Sequence, residues 1–302
     1  MIIRDMFADD INRKINGVIK VDQAADDVIE QELKEYVITK ELKKHFITFF
    51  NYSSDALDEP TSDTSVWISG FFGSCKSNFL KMLSYLLENK EVKGTRSVEI
   101  FRKKFEDDPA TYMLIDRSTK VKTETILFNI DIEGSINKDK TAVLRVFAKT
   151  FYNHLGFFGE NLKVAKLEQY IDQQGKTEQF RRVFEEKKEM PWVDSRKAFA
   201  FNGKFIIPTL VEVLDMSEED ARAWFTDKST TEFSIAQLVD DIKDYLNTKP
   251  DDFRLLFMVD EVGQYVGTDT DMLLNLQSLV EKIGSECERV ANPTPWSAAS
   301  DV

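Results

Sequence analysis

Eight consecutive residues, Gly70-Phe71-Phe72-Gly73-Ser74-Cys75-Lys76-Ser77, hold the residue types that grip a phosphate chain. They follow a short apolar run, Ser65-Val66-Trp67-Ile68-Ser69. They open a segment, Lys76 to Leu87, in which Phe79, Leu80, Leu83 and Leu86 recur on one helical face. A strand, a glycine-containing turn and a helix, in that order, are the context a phosphate-binding loop requires. Backbone N–H groups of such a loop point at phosphate oxygens, and the helix N-terminus adds partial positive charge. Lys76 would reach the β- and γ-phosphates, Ser77 would put its hydroxyl on Mg2+, and Gly70 and Gly73 would give the turn its backbone freedom. The candidate nucleotide contacts are therefore Gly70, Gly73, Ser74, Cys75, Lys76 and Ser77. The pattern G-x-x-x-x-G-K-[ST] has glycine where this chain has Cys75, so a Cβ there is expected to crowd the loop or a phosphate. The competing reading is a plain strand–turn–helix whose lysine and serine are merely solvated.

A second constellation is Leu255-Leu256-Phe257-Met258-Val259-Asp260-Glu261, an apolar strand candidate ending in two acids. Asp260 would hold Mg2+ through water and Glu261 would polarise the attacking water, with Lys76 and Glu261 as the catalytic pair. Both acids would lie at the carboxyl end of a parallel strand, where open α/β sheets bind ligands. Ile126-Leu127-Phe128-Asn129-Ile130-Asp131 competes for the same role. It follows Lys76 much more closely, a spacing that suits a compact ATPase better. Asn129 interrupts its apolar run, however, and no Glu follows Asp131 directly. Asp260 and Glu261 are preferred, with Asp131 as a neighbouring acid. Asp131 and Glu133 can equally be read as a solvated strand end.

The elements that must position these groups are legible from periodicity. Ala24 to Phe50 reads as helical, and 51–63 as a polar loop. Strands are expected at 65–69, 123–132 and 253–259. Helices are expected at 76–87, 97–106, 141–155, 162–173, 176–188, 205–214, 217–226, 234–246 and 272–283. Ser217 caps the 217–226 helix, with acids in its first turn. The tail ANPTPWSAASDV is expected to be irregular. The expected organisation is a helical lead-in (1–60), a first part of a nucleotide-binding core (61–155), a mostly helical insertion (156–250), the Asp260–Glu261 strand with its following helix (251–285), and an irregular tail (286–302).

The chain has 302 residues, room for one large domain or two ordinary ones. Its apolar fraction of 42% can fill a core, and no apolar run approaches the ~20 residues that span a bilayer. The start lacks the basic, apolar and cleavage regions of a signal peptide, which makes the cytoplasm the expected compartment and a membrane partner unexpected. A net charge of −13 argues against broad charge-driven nucleic-acid binding. Two cysteines and two histidines, each pair far apart in sequence, make neither a disulfide framework nor a zinc site. Lys43, Lys44 and Arg102 to Lys104 read as solvated helix faces, and His45 as a packed residue.

The stretches MIIRDMFADDINRKINGVIKVDQ, VWISGFFGSCKSNFLKMLSYLLEN, ILFNID and LLFMVDEVGQYVG resemble the amino-terminal part of the BrxC/PglY-like P-loop ATPases of bacteriophage exclusion (BREX) systems. The resemblance covers nearly all of residues 1–285, including the long insertion between the two motifs. It implies an α/β P-loop NTPase fold, AAA+ or ORC-like, of the additional-strand catalytic-Glu type with a parallel sheet. Lys76 and Ser77 would be its Walker A residues, Asp260 and Glu261 its Walker B residues, and ATP and Mg2+ its cofactors. It implies partners among other BREX proteins, including a methyltransferase and an alkaline-phosphatase-like protein. DNA would be reached through the complex, and the full-length protein could form a homo-oligomer. Family members are about four times as long, so the chain reads as a truncated or frame-shifted fragment. ATPases with a Glu beside the Walker B Asp place a further strand, bearing a polar sensor residue, between the P-loop and Walker B strands. This sequence offers no convincing candidate for it, so unpaired strand edges and poor stability are expected. The alternative function is a non-catalytic nucleotide-binding or interaction fragment that docks other defence subunits.

Overall fold

The computed structural model describes residues 25–58, 65–71, 75–134, 139–226 and 233–287, and the backbone of 297–300. The expected lead-in at 1–24 and part of the connection to the first strand lie outside the described residues. The architecture is α/β: mostly helical, around a small parallel sheet.

The first helical stretch is two helices, α1 (Asp26–Glu35) and α2 (Lys40–Asp55), where the periodicity suggested one. The break falls on Tyr36-Val37-Ile38-Thr39. β-Branched residues at 37–39 disfavour continuation, and the Thr39 side chain accepts from Leu42 N, starting a new helix. Then follow β1 (Ser65–Ile68), α3 (Lys76–Glu88) and a two-stranded hairpin, β2 (Glu91–Val92) with β3 (Thr95–Arg96). Lys93 and Gly94 both have positive φ there, as a two-residue hairpin turn that follows the strand twist requires. Next come α4 (Ser97–Arg102), α5 (Pro109–Ser118) and β4 (Thr123–Asn129). α5 was not expected, although Asp108 caps it and Pro109 opens it.

β4 is shorter than the expected 123–132. Asn129, read above as an interruption, is a helix cap: its Oδ1 accepts from Asp131 N and Ile132 N and starts the short α6 (Ile130–Glu133). The chain continues through α7 (Ala142–His154), α8 (Leu162–Gln173), α9 (Thr177–Lys188), α10 (Trp192–Ser195), α11 (Gly203–Leu214), α12 (Glu218–Thr226) and α13 (Ile235–Asn247). It then forms β5 (Arg254–Asp260), α14 (Val262–Val266) and α15 (Thr270–Glu286). Ser217 accepts from Asp220 N, as the cap reading required.

The sheet order is β1-β6-β5-β4, all parallel, where β6 is Ser297–Ser300. This corrects the expectation of an irregular tail. The tail strand lies between β1 and β5, with Ile68 opposite Ser300 and Val259 opposite Ala299. The gap from which poor stability was argued is therefore filled. No periodicity announced β6, because a four-residue strand paired on both sides is held by its backbone ladders.

β5 is buried along its whole length, which explains its unbroken apolar run. Leu255, Phe257 and Val259 pack into a core with α7, α13 and α15, whereas Leu256 and Met258 face α2, α3 and α4. Helices α8 to α12 form a third core of their own around Phe180, Phe184, Trp192 and Leu210. The expected insertion is thus a helical subdomain, but α13, assigned to it from sequence, packs on the sheet through Leu238, Val239 and Ile242. Buried Asp241 ties the two parts together: it accepts from Tyr152 of α7, and from Lys166 and Gln169 of α8.

A buried ion pair anchors α3 to α1. Lys81 is fully buried and donates to Glu32 Oε1 at 2.9 Å, while Tyr85 donates to Glu32 Oε2 at 2.9 Å. Removing one partner of a buried pair strands the other charge, at a cost of about 3–5 kcal/mol. Glu32→Ala is expected to lower the urea-unfolding free energy by that amount, and adding Lys81→Met should recover most of it. A loss under ~1 kcal/mol for Glu32→Ala would mean that the lysine finds solvent or another partner.

Candidate functional site

Because the sheet is parallel, the carboxyl ends of all four strands share one edge. Ile68 ends β1, Asp260 ends β5, and Asn129 ends β4 directly opposite Asp260. The segment from Ile68 to Lys76 crosses this edge and enters α3. Gly73 and Ser74, two of the expected phosphate contacts, lie outside the described residues.

Gly70 is half-buried. Its carbonyl accepts from Lys76 Nζ at 2.8 Å, and the Phe71 carbonyl accepts from the same ammonium at 3.2 Å. Lys76 is thus folded back over its own loop. Ser77 lies half-buried in the first turn of α3. That turn contains no acidic residue, and no side chain caps it. Thr39, Asp108, Asn161, Ser234 and Asp269 cap other helices, whereas the N-cap residues of α1, α7, α9 and α11 make no such bond, as in α3. The Cys75 side chain thus leaves the leading N–H groups of α3 uncapped, and such groups at a helix start can receive an anion.

Cys75 is exposed and adopts φ 62°, ψ 29°, the left-handed region. This gives the expected penalty a definite cause, since a Cβ in that region costs roughly 1–2 kcal/mol and glycine is free of it. The strain is already present without ligand, so its relief should appear in stability. Glycine also adds unfolded-state entropy of about 0.5–1 kcal/mol. Cys75→Gly is expected to stabilise the chain by about 1 kcal/mol or slightly less, whereas Cys75→Ala, which keeps the Cβ, should gain nothing. Chemical denaturation of the three proteins decides this, and identical midpoints would remove the strain argument. Cys287 is buried at the end of α15, and burial pushes its thiol up to about 12.

Asp260 is 3% exposed and accepts from Glu261 N at 3.0 Å. Glu261 also has a left-handed backbone, φ 61°, and leads into α14. Burial is the main cause that raises the Glu261 pKa above the ordinary carboxylate value; the negative charges of Asp260 and Asp131 add to it, and the positive charge of Lys76 opposes it. The two sequence constellations thus come together at one sheet edge, where Lys76, Asp260 and Asp131 each act electrostatically on Glu261.

The two acids that competed for one role occupy different positions. Asp260 ends the interior strand β5, next to β6. Asp131 is exposed on α6, beyond the end of edge strand β4. Glu133 pairs with Lys149 at 2.8 Å. Two neighbours escaped the sequence reading. Tyr265, 2% exposed, lies so close to Gly134 that a Cβ there would meet its ring at 2.5 Å, and Arg145 pairs with Asp139 at 2.9 Å beside it. Only the spacing of Tyr265 after Glu261, one helical turn, could have signalled the first.

Four of the five residues in the basic spots have contacts within the chain, and Lys103 is exposed. Lys43 pairs with Asp107 at 3.0 Å and Lys44 with Glu41 at 2.8 Å, Arg102 lies over Tyr112, and Lys104 donates to the Lys34 carbonyl. His45 is exposed with its ring edge-on to Phe79. No described helix is long and apolar enough to cross a membrane. No protein-family model matches the chain, and no solved structure matches it.

Proposed function

We propose that the chain is an ATP-binding, Mg2+-dependent P-loop module that hydrolyses ATP to ADP and phosphate. The observation that carries this reading is the meeting of Lys76, from the loop before α3, with Asp260 and Glu261, from the end of β5, across one intervening strand. ATP would displace Lys76 from the Gly70 and Phe71 carbonyls, and the ammonium would then donate to the β- and γ-phosphate oxygens. The uncapped N–H groups of α3 would receive the same phosphates. One hydroxyl (Ser77) and one carboxylate (Asp260) suit Mg2+, which keeps several waters and takes few protein ligands. Bound Mg2+ would neutralise charge on the phosphates. Glu261, raised in basicity, would orient a water and accept its proton.

By the sequence resemblance, the module would serve a BREX-type phage-defence ATPase in the cytoplasm, assembling or remodelling a DNA-associated complex with a methyltransferase and an alkaline-phosphatase-like protein. The second reading, a nucleotide-binding docking module without turnover, is favoured by one observation: the left-handed Cys75 where the motif has glycine. Phosphate release by the purified chain, with and without Mg2+, separates the two. Mg2+-dependent release supports hydrolysis, binding without release supports the docking module, and no nucleotide binding removes both.

A further inference from the structure

The helical subdomain carries a surface on which exposed apolar side chains and unneutralised cations coincide. Met190, Val193 and Phe201 are 44, 45 and 87% exposed. Between Lys187 and Lys204 the chain has five basic residues (Lys187, Lys188, Arg196, Lys197 and Lys204) against two acidic ones (Glu189 and Asp194), on a chain of net charge −13. Lys187 is spent on Glu212 at 2.6 Å and Arg196 on buried Glu168 at 2.9 Å. Among the described residues, Lys188, Lys197 and Lys204 form no ion pair.

The contacts join Lys188, Ser195, Asn202, Lys204 and Phe205, and Met190, Val193, Lys197 and Phe201 each lie within two residues of one of them in the chain. Lys188 Nζ donates to Asn202 Oδ1 at 2.6 Å, and Asn202 Nδ2 donates to the Ser195 carbonyl at 2.8 Å. Lys188 and Lys204 both lie over the ring of Phe205, 5.8 and 4.7 Å from its centre. Phe201 immediately precedes Asn202 in the chain. The frame beneath is rigid: Trp192 packs edge-on against Phe180 and Phe184, and its indole N–H donates to Glu168 at 2.6 Å. Phe201 therefore stays exposed on a well-packed support.

We infer that this surface docks an acidic segment of a partner protein, anchored by large apolar side chains. Met190, Val193 and Phe201 would cover the anchors, while Lys188, Lys197 and Lys204 would meet the carboxylates. Complementary charge speeds encounter and fixes register, and buried aromatic anchors supply most of the affinity. A nucleic acid fits less well: the chain's negative field repels an extended polyanion, and Met190 and Val193 offer no stacking plane. The inference goes beyond the proposed nucleotide site and uses none of its residues.

The test is to select a random displayed-peptide library on the full chain and measure the affinity of the synthesised winners. Enriched peptides should carry an excess of Asp and Glu around aromatic or large aliphatic residues, and bind less tightly as salt rises. Lys204→Glu and Phe201→Ser should each weaken them at least about tenfold, the loss of a hot-spot contact. Both side chains are exposed, so both variants should unfold at the parent midpoint; Lys197→Glu is a second charge reversal should either fail to fold. Lys76→Ala should bind the peptides unchanged, which separates this site from nucleotide binding. Peptides without acidic bias, no enrichment, or binding indifferent to these variants would overturn the proposal. Oligothymidine binding lost in the same variants would reassign the surface to nucleic acid.

Discussion

Replacing Lys76 by alanine is expected to weaken the binding of a fluorescent ATP analogue by about two orders of magnitude or more. In the free protein the ammonium is held by the Gly70 and Phe71 carbonyls, at the mouth of the loop before α3. A hydrogen bond to a charged group contributes roughly 1.5–3 kcal/mol, and the ammonium can make two such bonds to the β- and γ-phosphates. The combined loss of about 3 kcal/mol or more corresponds to at least ~100-fold. Lys76→Ala also frees two carbonyls that solvent can satisfy, so its unfolding midpoint should stay near the parent's. Normal folding with unchanged ATP affinity would remove the phosphate-loop assignment altogether. The lysine would then be a solvated helix-start residue.

The second large effect concerns turnover. Glu261→Gln is expected to leave ATP binding within about threefold of the parent and to slow hydrolysis by about 10²- to 10⁴-fold, the usual worth of a positioned general base. The amide keeps the shape and loses the proton acceptor. Because burial, Asp260 and Asp131 raise the Glu261 pKa, hydrolysis should fall on the acid side of a pKa above 4.5. The same shift has a consequence for stability. A carboxyl group whose folded pKa exceeds its unfolded one favours the fold at low pH, and loses that contribution as pH rises through the folded pKa. At neutral pH the ionised Glu261 is therefore mildly destabilising, and Glu261→Gln should raise the melting temperature while it slows turnover. Asp131→Asn supplies the contrast: from its exposed place on α6 it should change turnover by no more than a few-fold. If Asp131→Asn stops hydrolysis and Glu261→Gln does not, the metal-side acids belong to β4.

Much of the local structure was determined by the sequence alone. The helix start at Ser217 was legible because a short polar side chain facing its own backbone needs no distant partner. The central strand β5 was legible because burial on both faces demands an unbroken apolar run. The strand–turn–helix around Lys76 was legible because glycines, lysine and serine stand at fixed offsets from an apolar run. Tertiary structure alone decided the rest. Asn129 breaks the apolar pattern in sequence, yet in space it ends β4 and caps α6. α13 carries the same helical periodicity as its neighbours in the insertion, and only packing assigns it to the sheet core. β6 has neither length nor alternation; it becomes a strand because β1 and β5 present unpaired backbone on both sides. Spacing could nominate Lys76, Asp260, Glu261 and Asp131, but not bring them together. Their shared edge results from parallel strand order, and no residue pattern announces the left-handed backbone of Glu261 that ends β5 and starts α14. Long-range pairing fixes which ends of which strands meet, and a single chain read in order carries no signal for it.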